Sequence, residues 1–419
     1  MLELEIDHLG AGGDGVATAE GKAWYVPFTA PGDRVQAEPG EKRGRGQTAT
    51  LTAITQPAPI RQQPACRHFG TCGGCSLQHI DGDWLADWKR QRLEEALTRA
   101  EVVFPPINPT VSSPPRSRRR VEFVAAKRKK GVMIGYHLRR SHQIFDVGEC
   151  PLIDADLLAL VKPLRAMLPT VMPRNSQARL TLTRTLNGTD LLITANLDLD
   201  LGVRETLASF AADHDLSRIS LYHETDKLLE VVAARKPAAI PLGSGQVNIP
   251  PGAFLQATRE GEQALTDLML DHLPEKQDVV DLFSGCGSFS LPAAPHCKSL
   301  HAIEGDAALT EALQSGANKS RINLTSETRD LFRRPLMAEE LNAYDVVIID
   351  PPRAGADAQC EQIAGSGVKK VIFISCNPAS FARDAKTLQD GGYRIETLTP
   401  VDQFLWSSHV ELFATFIRK

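Results

Sequence analysis

Four short segments in the last third of the chain carry side chains whose types and spacing suit covalent chemistry. Ser375-Cys-Asn-Pro378 follows the apolar run Val371–Ile374, so Cys376 sits at a strand end, and a thiolate is the strongest neutral-pH nucleophile among the side chains. Asp350-Pro-Pro-Arg-Ala-Gly355 follows the apolar run Val346–Ile349; the two prolines fix the backbone and hold Asp350 at the mouth of the same crevice. Ser407-Ser-His-Val-Glu411 enters a further apolar strand. Buried there, Glu411 would have a raised pKa suited to a base; turned outward by strand alternation, it would be an ordinary surface acid. Asp281-Leu-Phe-Ser-Gly-Cys-Gly-Ser-Phe289 ends a strand and opens a helix, with Gly285 and Gly287 permitting close approach of a ligand. Glu304 ends the next strand about twenty residues on, where a ribose hydroxyl pair would be held. Phe289 and Ser290 stand where a dinucleotide fingerprint has its third glycine, which favours S-adenosylmethionine over NAD.

Cysteines form one more cluster. Cys66-x5-Cys72-x2-Cys75, with the distant Cys150, offers four thiolates, a number that both tetrahedral zinc and a 4Fe-4S cluster accept. The five-residue first gap is unusual for a zinc ribbon and no second C-x2-C pair follows, so an iron–sulfur cluster is the preferred reading. Cys286, Cys297 and Cys360 read as packing residues.

The elements that must position these groups are legible to different degrees. Apolar runs at 278–283, 299–304, 345–349 and 370–374 alternate with helical stretches, the pattern of a doubly wound parallel sheet. Two further strands near 393–399 and 410–417 follow without a helix between them, a topology shared with class I, Rossmann-like methyltransferases. Residues 1–55 read as short strands broken by turns, which fits a five-stranded barrel of the oligonucleotide-binding (OB) type. A proline-rich linker over 56–64 leads to the cysteine cluster and then to a helix over about 83–100, with Leu85, Trp88, Leu93, Ala96 and Leu97 on one face. Residues 116–250 mix strands and helices in an order the sequence leaves open. The expected organisation is a barrel over 1–55, a central α+β domain over 56–255 and an α/β domain over 256–419.

An apolar content of 42% excludes a disordered chain, and no apolar run approaches the ~18 residues of a membrane helix. With no secretory signal at the N-terminus, a cytoplasmic protein is expected, without membrane attachment. The net charge of −4 hides an asymmetry: ten basic residues against the single acid Glu122 lie between Arg116 and Arg140. One basic face on an acidic body suits phosphate binding, while a solvated pair of basic turns accounts for the same charges equally well.

Taken together, these motifs resemble the RNA uracil-5 methyltransferase family over nearly the whole chain. Its signatures D-P-P-R-x-G, S-C-N and S-x-H-hydrophobic-E match Asp350–Gly355, Ser375–Asn377 and Ser407–Glu411. Iron–sulfur members carry C-x5-C-x2-C plus a distant Cys, matched by Cys66, Cys72, Cys75 and Cys150, and residues 1–55 are similar to the accessory TRAM barrel of some members. Phe373, Ser380, Ser288 and the Phe404-Leu-Trp406 stretch depart from the usual signatures without removing a reactive group.

The resemblance implies that Cys376 attacks C6 of a uracil, that C5 then takes the methyl group of S-adenosylmethionine, and that Glu411 removes the C5 proton. It also implies cofactor contacts at Gln256, Phe283, Glu304, Asp330 and Asp350, beside Gly285 and Gly287. Barrel plus cluster points to 23S ribosomal RNA as the partner, with tRNA as the alternative, and a monomer is expected. Trp406 or Phe404 would support the unstacked base. The competing reading from another class is an iron–sulfur RNA-binding protein without catalysis.

Overall fold

Four sheets and the helices packed on them make up the protein, seen here in a computed structural model that describes residues 1–129, 131–139 and 141–418. The N-terminal sheet has six strands rather than the expected five, because one strand is split. Leu2–Glu5 runs antiparallel to Arg34–Ala37; the chain then bends at Ile6–Asp7, and His8–Leu9 pairs with Gly15–Val16 on the opposite margin. The two halves thereby bridge both edges of the sheet, and Leu4, Ile6, Trp24, Val26, Val35 and Ala37 fill the interior.

The central sheet has seven strands, in the spatial order 144–146, 131–137, 120–128, 177–185, 188–194, 216–223 and 228–234. All neighbours are antiparallel except Gly188–Thr194 and Leu216–His223, which are joined by the helix Leu201–Asp213. Two helices, Val161–Val171 and Leu201–Asp213, lay Leu164, Leu168, Leu207 and Phe210 on one face of this sheet, forming one core with Phe123, Leu180 and Ile193.

The third large sheet has the order 325–328, 299–304, 278–282, 346–349, 370–375, 411–418, 393–402 and 111–112. Its first five strands are parallel, while Glu411–Arg418 runs antiparallel to both of its neighbours, Lys370–Ser375 and Tyr393–Asp402. The central strands are continuous apolar runs because helices cover both faces. Two elements reach this sheet from the segment before the central sheet. The helix Gly82–Arg99 packs Leu93 and Leu97 into the same core as Leu388, Tyr393 and Leu398, and Val111–Ser112 adds an edge strand beside Tyr393–Asp402. Among the described residues, no helix is long and apolar enough to cross a membrane.

Candidate active site

The carboxyl ends of the parallel strands open into one cavity of about 460 Å³. Into it the fold brings Cys376, Glu411, Gln256, Phe283, Gly285, Glu304, Asp330 and Asp350 from the sequence expectation, together with Phe254, Ser284 and Phe332. Gly287 plays a different part: at φ +96° it faces the following helices, and a Cβ there would lie 2.3 Å from Leu313. Gly285, at φ +56°, has nothing within 4 Å of where a Cβ would point. One glycine lets the helices close on the strand, while the other leaves the backbone bare toward the cavity.

Glu304 ends its strand with both carboxylate oxygens occupied by backbone amides, Gly285 N–H and Asp306 N–H, each at 2.9 Å. This fixes the carboxylate at the cavity wall and leaves its remaining lone pairs for hydroxyl donors. Phe283 holds a left-handed backbone (φ +61°), and its ring meets Phe332 at 5.4 Å, with Phe332 largely exposed above the opening. Among the described residues, two buried polar atoms near this end have no partner: Ser284 Oγ, on the cavity wall, and Asp281 Oδ1, wholly buried behind it. A ligand with a hydrogen-bonding group would satisfy Ser284.

Carboxyl groups dominate the deeper part. Burial pushes Asp350 up to about 7, and burial, opposed by Ser290 but reinforced by Asp350 and Glu304, brings Asp281 to a similar value. Glu411 lies fully inside and is raised well above the ordinary carboxyl range, first by burial and then by Asp350, so its inward orientation is the one realised. The Cys376 thiol is pushed up to about 11 by burial and by the neighbouring Glu411 and Asp350, against which Arg353 acts. Four acids on the wall of an otherwise apolar pocket, Glu304, Asp330, Asp350 and Glu411, make a site that favours a cationic ligand.

The turn under Cys376 is pinned by the turn that follows the neighbouring parallel strand, Val346–Ile349. Asn377 caps the helix Pro378–Asp390 and donates through Nδ2 to Arg353 O at 3.1 Å, while Ser380 Oγ donates to the same oxygen at 3.2 Å. A hydroxyl therefore remains where the family pattern has threonine. Behind Glu411, the chain from 402 to 410 is held by the buried Lys89, whose ammonium meets Asp402 Oδ2 at 2.5 Å and Phe404 O at 3.2 Å. Arg92 donates to Ser408 O. Trp406 is buried against Leu77, Leu85 and Trp88, away from the cavity, so it forms core there and does not support a base. Phe404 stays half-buried with its ring 5.8 Å from His409.

Positive charge collects at the mouth. Burial holds the His409 imidazole below its ordinary range, with Arg353, Arg92, Lys89 and Arg118 adding to the effect. The basic run 116–140 does not form a single free surface. Arg119 is buried in a two-pronged ion pair with Glu262 (2.5 and 3.0 Å), Lys127 caps the carbonyls of Pro169 and Met172, and Arg139 pairs with Asp14. Lys130 and Arg140 lie outside the described residues.

Cys66, Cys72, Cys75 and Cys150 line a second cavity, of about 250 Å³, between the cysteine loop and the central sheet. Burial pushes Cys75 up to about 12, and Cys150, Cys72 and Cys66 each raise it further, which reflects four sulfurs converging on one space. Among the described residues, no three His, Cys, Asp or Glu side chains close to single-ion coordination.

A parallel sheet in this order, ended by an antiparallel pair and carrying an acidic, cation-seeking pocket at its strand ends, defines a class I S-adenosylmethionine-dependent methyltransferase. A family model described as tRNA (Uracil-5-)-methyltransferase matches residues 249–419. An uncharacterized RNA methyltransferase of Brucella suis is 41% identical, over 99% of this chain and 98% of its own. The 23S rRNA (uracil(1939)-C(5))-methyltransferase of Tolumonas auensis is 31% identical, over 100% of this chain and 96% of its own. Among solved structures, Pyrococcus abyssi tRNA (uracil-54, C5)-methyltransferase in complex with S-adenosyl-L-homocysteine shares the fold, with a TM-score of 0.80 over 99% of both chains at 22% identity. The chain belongs to the RNA uracil-5 methyltransferase family.

Proposed function

We propose that the protein forms 5-methyluridine in 23S ribosomal RNA through a covalent bond between Cys376 and uracil C6. The single observation that carries this reading is the meeting of Cys376 and Glu411 in the cavity that also holds Glu304 and Asp350. The residues present fit S-adenosylmethionine: acids for its cationic end, Glu304 for ribose hydroxyls and the Phe283–Phe332 pair for adenine. That cofactor supplies an electrophilic methyl group. Cys376 as thiolate attacks C6, which places negative charge on C5 and makes it nucleophilic. Once C5 is methylated, Glu411 accepts the C5 proton, the C5=C6 double bond reforms and the thiolate leaves. Arg353 on the cavity wall suits an RNA phosphate.

The ribosomal target is supported by the full-length similarity to the Tolumonas auensis enzyme. Formation of 5-methyluridine in tRNA is the alternative. A 4Fe-4S cluster held by Cys66, Cys72, Cys75 and Cys150 is part of the same reading, supported by the four thiols that line one cavity. With no electron transfer in the reaction, the cluster would serve structure or RNA positioning. We also read residues 1–55 as a TRAM-type barrel, and the protein as a cytoplasmic monomer.

The test is mass-spectrometric mapping of 5-methyluridine in rRNA and tRNA from a deletion strain. Loss from 23S rRNA alone is expected; loss from tRNA alone would replace the target, and no loss from either would overturn the reaction.

A further inference from the structure

Gln403 stands between the two ends of the active site. It is buried just beyond Asp402, and its Nε2 donates to Gln256 Oε1 at 2.5 Å. Glu411 pairs in register with Val401, two residues before Gln403, and the Gln403 side chain favours the ionised form of its carboxyl. Its Oε1 accepts from Ala257 N–H at 2.8 Å and Thr258 N–H at 3.5 Å. Backbone amides only donate, so the oxygen must face them and the NH2 group must face Gln256 and Glu411. Gln256 in turn donates Nε2 to Asp350 Oδ2 at 3.1 Å. Hydrogen bonds therefore run from Gln403 through Gln256 to Asp350, with Glu411 on the strand beside Gln403. The packing makes room for it: a Cβ on Gly261 would lie 2.8 Å from the Gln403 Cβ.

We propose that Gln403 is a positioning residue for proton removal from C5, orienting Glu411 and tying it through Gln256 to the cofactor end of the cavity. This rests on the role given above to Glu411. In that step the C5–H bond breaks, its electron pair forms the C5=C6 double bond, the C6–S bond breaks to release the Cys376 thiolate, and the proton passes to a Glu411 oxygen. Gln403 gives up no proton; its N–H contact favours the ionised carboxylate, whereas the ionisable groups facing Glu411, Asp350 and Cys376, oppose it.

The experiment compares Gln403→Met, which keeps the volume and loses every hydrogen bond, with Gln403→Asn, too short to span both partners. Both should form the covalent adduct with 5-fluorouridine RNA at the wild-type level, because Cys376 is untouched. Turnover on uridine RNA should fall about tenfold at neutral pH and recover as the pH is raised. Equal losses of adduct and turnover, or an unchanged pH profile in either folded variant, would overturn the proposal. The infrared carboxyl band of Glu411, identified by its absence in Glu411→Gln, gives a readout independent of methylation. It should titrate at higher pH in Gln403→Asn, and an unmoved band would sink the Gln403 contact itself. Normal turnover by Glu411→Gln would instead remove the base assignment beneath it.

Discussion

The amide of Leu77 donates to the carbonyl of Trp406 at 3.1 Å, and the amide of Ser76 reaches the same oxygen at the same distance. Two residues past Cys75, the cysteine loop is thus tied to the segment that leads into Glu411. Trp406 holds a left-handed backbone (φ +59°), a conformation that persists only where surrounding contacts impose it.

Loss of the cysteine site should therefore be felt at the catalytic loop. Cys75→Ser is expected to raise amide hydrogen exchange over 403–409 while leaving the strand 346–349 protected. Unchanged exchange in that loop would separate the two regions.

Replacing the nucleophile should be cleaner. Cys376→Ala is expected to reduce methylation by at least about 10³-fold and to abolish the 5-fluorouridine adduct, with little change in thermal melting, since the side chain is half-buried at a cavity wall. Retained turnover would end the covalent reading.

Glu411→Gln should stall the reaction later. Adduct is expected to accumulate on ordinary uridine RNA while release of product slows by about 10²–10⁴-fold. In the wild-type protein, the raised Glu411 and Cys376 groups are protonated at low pH, so turnover should climb with pH on the acid side. A rate that falls over that range would contradict these assignments.

The acids also set a stability profile. Asp350 and Asp281 titrate at about 7 in the folded protein, above the ordinary 3.8, and so keep protons that the unfolded chain has already lost. Their contribution to stability without ligand is then fullest below about pH 4 and is lost as pH rises through 7, by at most about 1.4 kcal/mol per pH unit for each group. Urea denaturation of Asp350→Asn should show a shallower decline than the wild type.

The two glycines of the cofactor turn should respond differently. Gly287→Ala brings a Cβ to 2.3 Å from Leu313 at φ +96° and should destabilise by about 2–4 kcal/mol. Gly285→Ala meets open space and should cost about 1–2 kcal/mol, with a larger effect on cofactor affinity. Similar melting temperatures for the two would refute the division of labour.

What the sequence made legible was whatever local pattern determines. The runs around Val280, Ile303, Ile348 and Ile372 are apolar enough to read as buried strands, and each brought its motif to the strand mouth. Thr325–Thr328 escaped because an edge strand of Thr, Ser and Glu has no apolar signature. Charge patterning misled over 116–140, since a lone sequence does not reveal that Arg119 meets Glu262 across 143 residues. Trp406 reads as a support for the base because its neighbours in sequence carry the proposed chemistry; its neighbours in space, Leu77 and Trp88, come from far away along the chain. Gln403 carried no signal for the same reason, since its partners at 256–258 and 411 converge only on folding.

The edge strand Val111–Ser112 and the helix Gly82–Arg99 have a practical corollary. Cutting the chain at Gln256 would strip the methyl-transferring half of a flank it borrows from upstream, leaving Tyr393, Leu398 and Leu388 without Leu93 and Leu97. Swapping the upstream domains between relatives at that point would expose this apolar flank; a graft has to carry residues 82–113 along with the C-terminal half.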